Sequence, residues 1–125
     1  MNTCHAFNPP ILHSHLSAHN VFVEFQSYGG PKKASGVRIG DLEIGPLIKY
    51  ASTFYNYKNL SVWSAPEVFK AGKRIADNPT PEIDVYSYGM ILWELWHELV
   101  PFDNNVTVCQ QYVLQEDSRP MIVTE

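Results

Sequence analysis

Long apolar runs are missing from this sequence, and basic residues are few. The strongest apolar stretch, residues 90–100, contains Glu94, His97 and Glu98, and it falls short of the ~20 residues that a membrane helix needs. Nine Lys and Arg residues stand against 13 Asp and Glu residues, which gives a net charge of −4. The basic residues are scattered and form no stripe. We therefore expect no membrane partner and no nucleic-acid partner.

Cysteine is also scarce, since the chain has only Cys4 and Cys109. Two cysteines are too few for a disulfide framework. We expect both to be reduced thiols, as in a cytosolic protein. The N-terminus lacks the basic patch and apolar stretch of a signal peptide. We expect a cytoplasmic protein. The apolar share of 45% in 125 residues is enough to bury the core of one domain.

The sequence predicts one β-hairpin near the N-terminus. Residues 21–25 are β-branched and aromatic, which favours a short strand. Residues 26–35 contain Gly29-Gly30-Pro31 and read as the connection, and residues 37–39 alternate as the return strand. Residues 42–64 have no sustained periodicity and predict a long surface loop.

Helices are predicted in the second half of the chain. Residues 65–69 can form one turn, with Ser64 and Glu67 as a capping box. Thr80 as N-cap and Pro81 at the first helical position begin a strong helix that runs to about residue 97 or 99. Because this helix is apolar nearly all round, we expect it in the middle of the core. Asn105 is the expected cap of a last helix, through about residue 114.

Four short motifs occur in a definite order. Residues 13–20 read H-S-H-L-S-A-H-N, residues 41–43 read D-L-E, residues 65–67 read A-P-E, and residues 84–95 read D-V-Y-S-Y-G-M-I-L-W-E-L. Together they resemble the large lobe of protein kinases, whose motifs are H-R-D-L-x-x-x-N, D-F-G and A-P-E, followed by a central helix that often begins D-V-Y-S-F-G. Within the family, the motifs most resemble those of the tyrosine kinase-like group or of tyrosine kinases.

This resemblance implies the fold and its parts. The expected class is α+β, a mainly helical kinase large lobe with one hairpin, cut at both ends. Residues 1–125 would be a partial kinase-like domain, with a catalytic loop at 13–20, an activation-like segment at 41–67 and a central helix at about 81–98. The small lobe, with its Gly-rich loop and phosphate-binding lysine, would precede Met1.

The same resemblance indicates that the chemistry of phosphate transfer is lost. His15 stands where the family has its catalytic Asp, and an imidazole cannot supply the negative charge that orients the attacking hydroxyl beside a metal. Ser17 replaces the basic residue that faces the transferred phosphate. Ser14 replaces the Arg that pairs with a phosphorylated activation loop. We therefore expect no catalytic residue.

Two positions match the family's magnesium ligands, Asn20 and Asp41. We expect no cofactor, with weak magnesium-ATP binding as the alternative, since two ligands hold magnesium poorly without phosphates. The structural interpretation makes Asn20 a partner of loop backbone and Asp41 a turn residue. Leu42 can still fill the apolar slot of the family's Phe, whereas Glu43 replaces its Gly.

Other positions resemble the family's architectural residues. His13, Leu42 and Asp84 match those that stack the catalytic loop on the central helix, where Asp84 would accept backbone N–H groups. The family's Arg partner of Glu67 would lie beyond this chain, so Glu67 is expected to lose it.

Two further hypotheses compete for polar residues. The first set consists of possible phosphorylation sites that are otherwise the polar surface of a loop: Ser52, Thr53, Tyr55, Tyr57 and Ser61.

A second set of residues has the ligand types and part of the spacing of a zinc site, although no C-x-x-C or H-E-x-x-H motif occurs. Its members are Cys4, His5, His13, His15 and His19.

The leading functional hypothesis is a non-catalytic, pseudokinase-like fragment that acts as a protein-interaction scaffold. Trp93, Trp96, Phe102 and Tyr112 are its expected contact residues. The alternatives are a portion of an ATP-binding kinase that phosphorylates Ser, Thr or Tyr, and a kinase gene relic without function.

Overall fold

The computed structural model describes residues 2–8, 10–27, 29–42, 60–71 and 80–122. The elements in these ranges are helices and one antiparallel hairpin, which confirms the predicted α+β class. In chain order they are α1 (Asn2–His5), a 3-10 turn (Ala18–Asn20), β1 (Val21–Gln26), β2 (Lys33–Ile39), α2 (Pro66–Ala71), α3 (Pro81–His97), a turn at Pro101–Asn104, and α4 (Val106–Gln115).

The hairpin has a longer return strand than the sequence predicts. Strand β2 begins at Lys33, so the connection is shorter than residues 26–35. Val21 pairs with Ile39 at one end of the ladder, and a bulge interrupts the register next to Glu24 and Phe25. The bulge accommodates one extra residue of β2, Ser35, between the partners of Glu24 and Phe25.

The central helix α3 begins and ends close to the predicted positions. Pro81 occupies the first turn, and Glu98 follows the helix in the left-handed conformation, with φ of 53°. Thr80 occupies the N-cap position as predicted, although its side chain makes no capping bond to a helical N–H. Its hydroxyl instead bonds to Glu82 and lowers the pKa of that exposed carboxyl.

Only one face of α3 is buried by the described residues. That face carries Ile83, Asp84, Ser87, Met90 and Ile91. The opposite face is exposed and apolar, with Val85, Tyr88, Leu92, Leu95 and Trp96. The prediction of a helix surrounded by core on all sides is therefore wrong within the described ranges. The apolar composition of a helix determines which of its faces are able to be buried. Which of those faces is actually buried depends on the other elements that pack against the helix.

The segment that leads into α2 is buried rather than exposed. Val62, Trp63, Ser64 and Ala65 all lie in the interior, which corrects the end of the predicted surface loop. The Ser64 hydroxyl accepts the backbone N–H of Ser61 at 2.9 Å. Because α2 begins at Pro66, Ser64 is not its N-cap, and the predicted capping box is wrong. Residues 43–59 lie outside the described ranges.

Helix α4 begins as the sequence predicts. The Asn105 side chain accepts the backbone N–H groups of Thr107 and Val108, each at 3.1 Å. This bond pair satisfies two of the free donors at a helix start. Cys109 and Val113 face the core. The core cluster joins these two to Leu16, Val62, Trp63, Phe69, Met90 and Ile91.

Candidate functional site

A buried carboxylate at the start of α3 organises the candidate site. Asp84 is 1% exposed, and its Oδ2 and Oδ1 accept the backbone N–H groups of His13 at 2.9 Å and Ser14 at 2.8 Å. The Nε2 of His5 donates to Asp84 Oδ2 at 3.0 Å. Ser14 has a φ of 62°, a left-handed conformation that few residues other than glycine adopt. The backbone contact that the kinase resemblance implies for Asp84 is thus present.

His13 ties the same segment to the base of the hairpin. Its ring is fully buried, and Nε2 donates to the backbone carbonyl of Gly40 at 2.8 Å. Since a carbonyl only accepts, the proton lies on Nε2. Nδ1 is buried, and no hydrogen-bond partner for it lies among the described residues. The backbone N–H of Gly40 in turn donates to the carbonyl of Asn20 at 2.8 Å.

Asn20 and Asp41 lie side by side at the end of the 13–20 segment. The Asn20 amide Nδ2 donates to Asp41 Oδ2 at 2.7 Å. The Ser17 hydroxyl donates to Asn20 Oδ1, also at 2.7 Å. Ser17 and Asn20 are buried, whereas Asp41 is exposed and has a φ of 58°. The expected bond from the Asn20 side chain to loop backbone is replaced by these two side-chain bonds.

His15 is half-buried and favours its neutral form. Burial lowers the pKa of His15 below its ordinary value, and the neighbouring His13 lowers it further. The Asp41 carboxylate opposes this shift without cancelling it. Burial therefore favours the uncharged ring over the charged one. His15 also lines a small cleft with Ser61, Ser64 and Ser87.

In this arrangement both polar atoms of the Asn20 amide are engaged by side chains, Oδ1 by Ser17 and Nδ2 by Asp41. Mg²⁺ requires oxygen ligands in nearly octahedral arrangement. In the part of the chain that is described, no group of three His, Cys, Asp or Glu side chains is placed to hold a metal ion. Among these residues that finding also counts against the zinc hypothesis, because His5 bonds to Asp84 and His13 bonds to Gly40.

The other residues with a predicted architectural or regulatory role make fewer contacts among the described residues. Leu42 is half-buried in the turn after Asp41, and its stacking role stays a prediction. Glu67 is exposed on α2. Burial raises the pKa of Tyr86, and the charge of Glu67 makes a smaller contribution in the same direction. Of the five proposed phosphorylation sites, four lie outside the described residues, and the fifth, Ser61, is half-buried.

Trp63 is a structural residue that the sequence interpretation missed. It is 3% exposed, and its indole Nε1 donates to Glu94 Oε2 at 2.8 Å. Its backbone carbonyl accepts the Ser87 hydroxyl at 2.8 Å, and its ring meets His19 edge-on at 5.3 Å. The available signal was local, because Leu60, Val62 and Trp63 put three apolar side chains just before the A-P-E motif.

The predicted contact residues differ in exposure. Trp96 is 79% exposed and Tyr112 is 43% exposed. Trp93 is half-buried, donates from Nε1 to the carbonyl of Met121 at 3.0 Å and stacks on His97. Phe102 is half-buried and packs against Tyr112, with ring centres 6.1 Å apart. Among the described helices, none has the length and apolar content to cross a bilayer.

Comparison with known proteins gives a consistent result. The sequence profile of the protein kinase domain matches residues 1–123. Serine/threonine-protein kinase CTR1 of Arabidopsis thaliana is 37% identical over 108 residues, which cover 83% of this chain and 11% of that protein. Dual specificity protein kinase splA of Dictyostelium discoideum is 33% identical over 101 residues, covering 76% of this chain and 4% of splA.

A rice relative, probable serine/threonine-protein kinase WNK5 of Oryza sativa subsp. japonica, is 26% identical over 86% of this chain and 29% of its own length. The chain thus spans only a small part of the relatives that it matches. No solved structure matches it significantly. The motif order, the Asp84 contacts and the profile match over nearly all residues lead to one conclusion: this chain belongs to the protein kinase family.

Proposed function

We propose that this chain is a non-catalytic, pseudokinase-like member of the family that acts in the cytoplasm as a protein-interaction scaffold. The observation that carries the proposal is His15. It stands at the position of the family's catalytic Asp, and its burial lowers its pKa. A neutral ring can accept a proton, but it adds no negative charge beside the phosphate-bound metal ions that phosphoryl transfer requires.

The architecture around His15 is intact, which favours a retained scaffold over a decayed sequence. Asp84 keeps three donors, and His13 joins the 13–20 segment to the hairpin. An unpaired buried carboxylate would cost several kcal/mol, of the order of the whole stability of a domain. A relic under no constraint has no reason to keep such a set together.

The exposed face of α3 is the surface that we assign to the scaffold activity. Leu95 is 70% exposed and Trp96 is 79% exposed, and Val85, Tyr88 and Leu92 continue the same face. Large contiguous apolar surfaces on proteins mark interaction sites. Tryptophan is among the residues that contribute most to binding energy at such sites.

Phosphate transfer is the first activity to test. The chain is incubated with magnesium and radiolabelled ATP, alone and with a general protein substrate, and label on any protein is measured. We expect none, from the wild type or from His15→Gln. Label that the wild type transfers and His15→Gln does not would overturn the non-catalytic proposal.

Protein interaction is tested by site-specific photocrosslinking. A photoreactive phenylalanine analogue replaces Trp96 in one variant and exposed Glu116 in a control, and both are irradiated in cells. We expect protein adducts at position 96 that are absent at position 116 and that mass spectrometry identifies reproducibly as one partner. Identical adducts at both positions would contradict a specific surface on α3.

The second candidate function is that of a portion of an ATP-binding protein kinase. The residue types of Asn20 and Asp41 favour it, because both match ligand positions of the family, and the relatives above carry kinase names. The D-V-Y-S-Y-G motif of α3 suggests the tyrosine kinase-like group or the tyrosine kinases. A rise of the unfolding temperature with magnesium-ATP would support this candidate over the scaffold.

A further inference from the structure

We propose that Ser17, Asn20 and Asp41 form a hydrogen-bonded clasp. The clasp fastens the 13–20 segment to the turn after β2, at positions where the kinase resemblance implies cation ligands. The inference deepens the proposed function, on which it rests, because it gives the surviving residues of that site a structural task in place of a catalytic one.

The orientation of the Asn20 amide is fixed by chemistry. The oxygen and nitrogen of an amide look alike, so the assignment depends on their partners. An ionised carboxylate only accepts, and Asp41 Oδ2 lies 2.7 Å from the amide atom that faces it. That atom must be Nδ2, since two oxygens at this distance would repel. The Ser17 hydroxyl then donates to Oδ1 at 2.7 Å, which completes a chain in one direction.

Burial strengthens this chain of bonds. Ser17 is 4% exposed and Asn20 is 5% exposed, so their mutual bond lies in surroundings of low dielectric constant. The bond to Asp41 is charge-assisted, a class about twice as strong as neutral bonds. Backbone bonds reinforce it, since Asn20 N–H donates to Ser17 O at 3.1 Å and Gly40 N–H donates to Asn20 O at 2.8 Å.

A cation would have to compete with the clasp. To offer its oxygen to a metal beside Asp41, Asn20 must rotate its amide and give up the charge-assisted bond. The gain from metal binding is small, because among the described residues no group of three His, Cys, Asp or Glu side chains is placed to hold the ion. Magnesium also gives up its bound water reluctantly. The hydrogen-bonded arrangement is therefore the favoured state of these three residues.

The experiment compares thermal unfolding of the full chain with two variants, in the presence and absence of millimolar MgCl₂. Asp41→Asn keeps an acceptor for Asn20 and tolerates the left-handed backbone at this position, but it removes the charge that a cation needs. Asn20→Asp removes the donor and sets two carboxylates against each other. The pair separates the two interpretations, because one variant retains the clasp and the other turns it into a cation site.

We expect the wild type and Asp41→Asn to unfold within about 5 °C of each other, since a charge-assisted bond becomes a neutral one, and neither to respond to MgCl₂. Asn20→Asp should unfold at a lower temperature and recover with MgCl₂. A wild-type midpoint that rises with MgCl₂ and loses this rise in Asp41→Asn would overturn the clasp.

A second measurement does not depend on unfolding. Free Mn²⁺ is titrated with the wild type and Asp41→Asn, and its paramagnetic resonance signal reports the unbound ion. Equal signals for both proteins support the clasp, and one Mn²⁺ held by the wild type but not by Asp41→Asn contradicts it. Phosphate transfer would instead overturn the non-catalytic proposal, so the two failures are distinguishable.

Discussion

The carboxylate of Asp84 accepts the backbone N–H of His13 at 2.9 Å, across 71 positions of the chain. This contact joins the first turn of the central helix to the segment that carries His15. Because the same carboxylate also holds Ser14 N–H and the His5 ring, one buried side chain fixes three separate parts of the fold.

Asp84→Ala should therefore destabilise the chain severely. It leaves two backbone N–H groups without their acceptor and a cavity in the interior, and loss of one partner in a buried charged set costs about 3–5 kcal/mol. Chemical denaturation followed by circular dichroism measures the change.

Asp84→Asn is the matched variant for this site. The Asn side chain has only one oxygen, which can replace only one of the two carboxylate oxygens as acceptor. We therefore expect an intermediate loss of stability, about 1–3 kcal/mol. Equal stability of the wild type and Asp84→Ala would show that the carboxylate does not organise this region.

Trp63 and Trp96 should respond very differently to truncation. Trp63 is 3% exposed and Trp96 is 79% exposed, although they are the same residue type. Trp63→Ala opens a core cavity and leaves Glu94 without its donor, which we expect to cost about 3–5 kcal/mol or to prevent folding.

Trp96→Ala should change the free energy of unfolding of the isolated chain by less than about 0.5 kcal/mol. Trp63→Phe supplies a milder second test if the alanine variant does not fold, since it keeps ring volume but loses the bond to Glu94. A large loss in Trp96→Ala would mean that the exposed face of α3 is covered within the chain.

His15 should make stability depend on pH. Its pKa in the folded chain is lowered, so the unfolded chain binds the proton more readily. The free energy of unfolding is therefore unaffected by this group above its unfolded pKa of about 6.5. It decreases as the pH falls from there towards the lower pKa of the folded chain.

The measurement is the unfolding midpoint of the wild type and of His15→Gln between mildly alkaline and mildly acidic pH. Gln does not titrate, so the difference between the two proteins should shift in favour of the variant as the pH falls through this window. A constant difference would contradict the lowered pKa.

The two thiols should differ in reactivity. Burial raises the pKa of Cys109 to about 11 and removes it from solvent, whereas Cys4 is only partly buried. At mildly alkaline pH we expect iodoacetamide to modify Cys4 first, because the thiolate is the reactive form.

Mass spectrometry locates the modification, with Cys4→Ser as the control. This variant should take up label only when denaturant opens the core. Rapid labelling of Cys109 in the native variant would mean that the packing between α4 and the 60–65 segment opens readily.

Local signals were enough to predict the hairpin and the three helices of the second half of the chain, but they did not predict α1 or the 3-10 turn at Ala18–Asn20. Thr80 and Pro81 placed the start of α3, and Asn105 placed the start of α4, because capping depends on residues adjacent in sequence. The hairpin was also predicted, but its bulge was not, since a bulge depends on how two strands pair. The capping box at Ser64 failed because α2 begins at Pro66, and the Ser64 hydroxyl bonds to Ser61 in the preceding turn.

By itself, the sequence determined the order of the kinase motifs and hence the family, and the residue types at His15, Asn20 and Asp41 are the basis of the proposal that the chain is non-catalytic. Only the tertiary structure decided what those residues do to each other. It turned the Asn20 amide towards Asp41, buried Trp63 against Glu94, and left one side of an evenly apolar helix exposed. The physical reason is that composition and local spacing set what a residue is able to bond, whereas burial and the direction of each bond depend on neighbours distant in sequence.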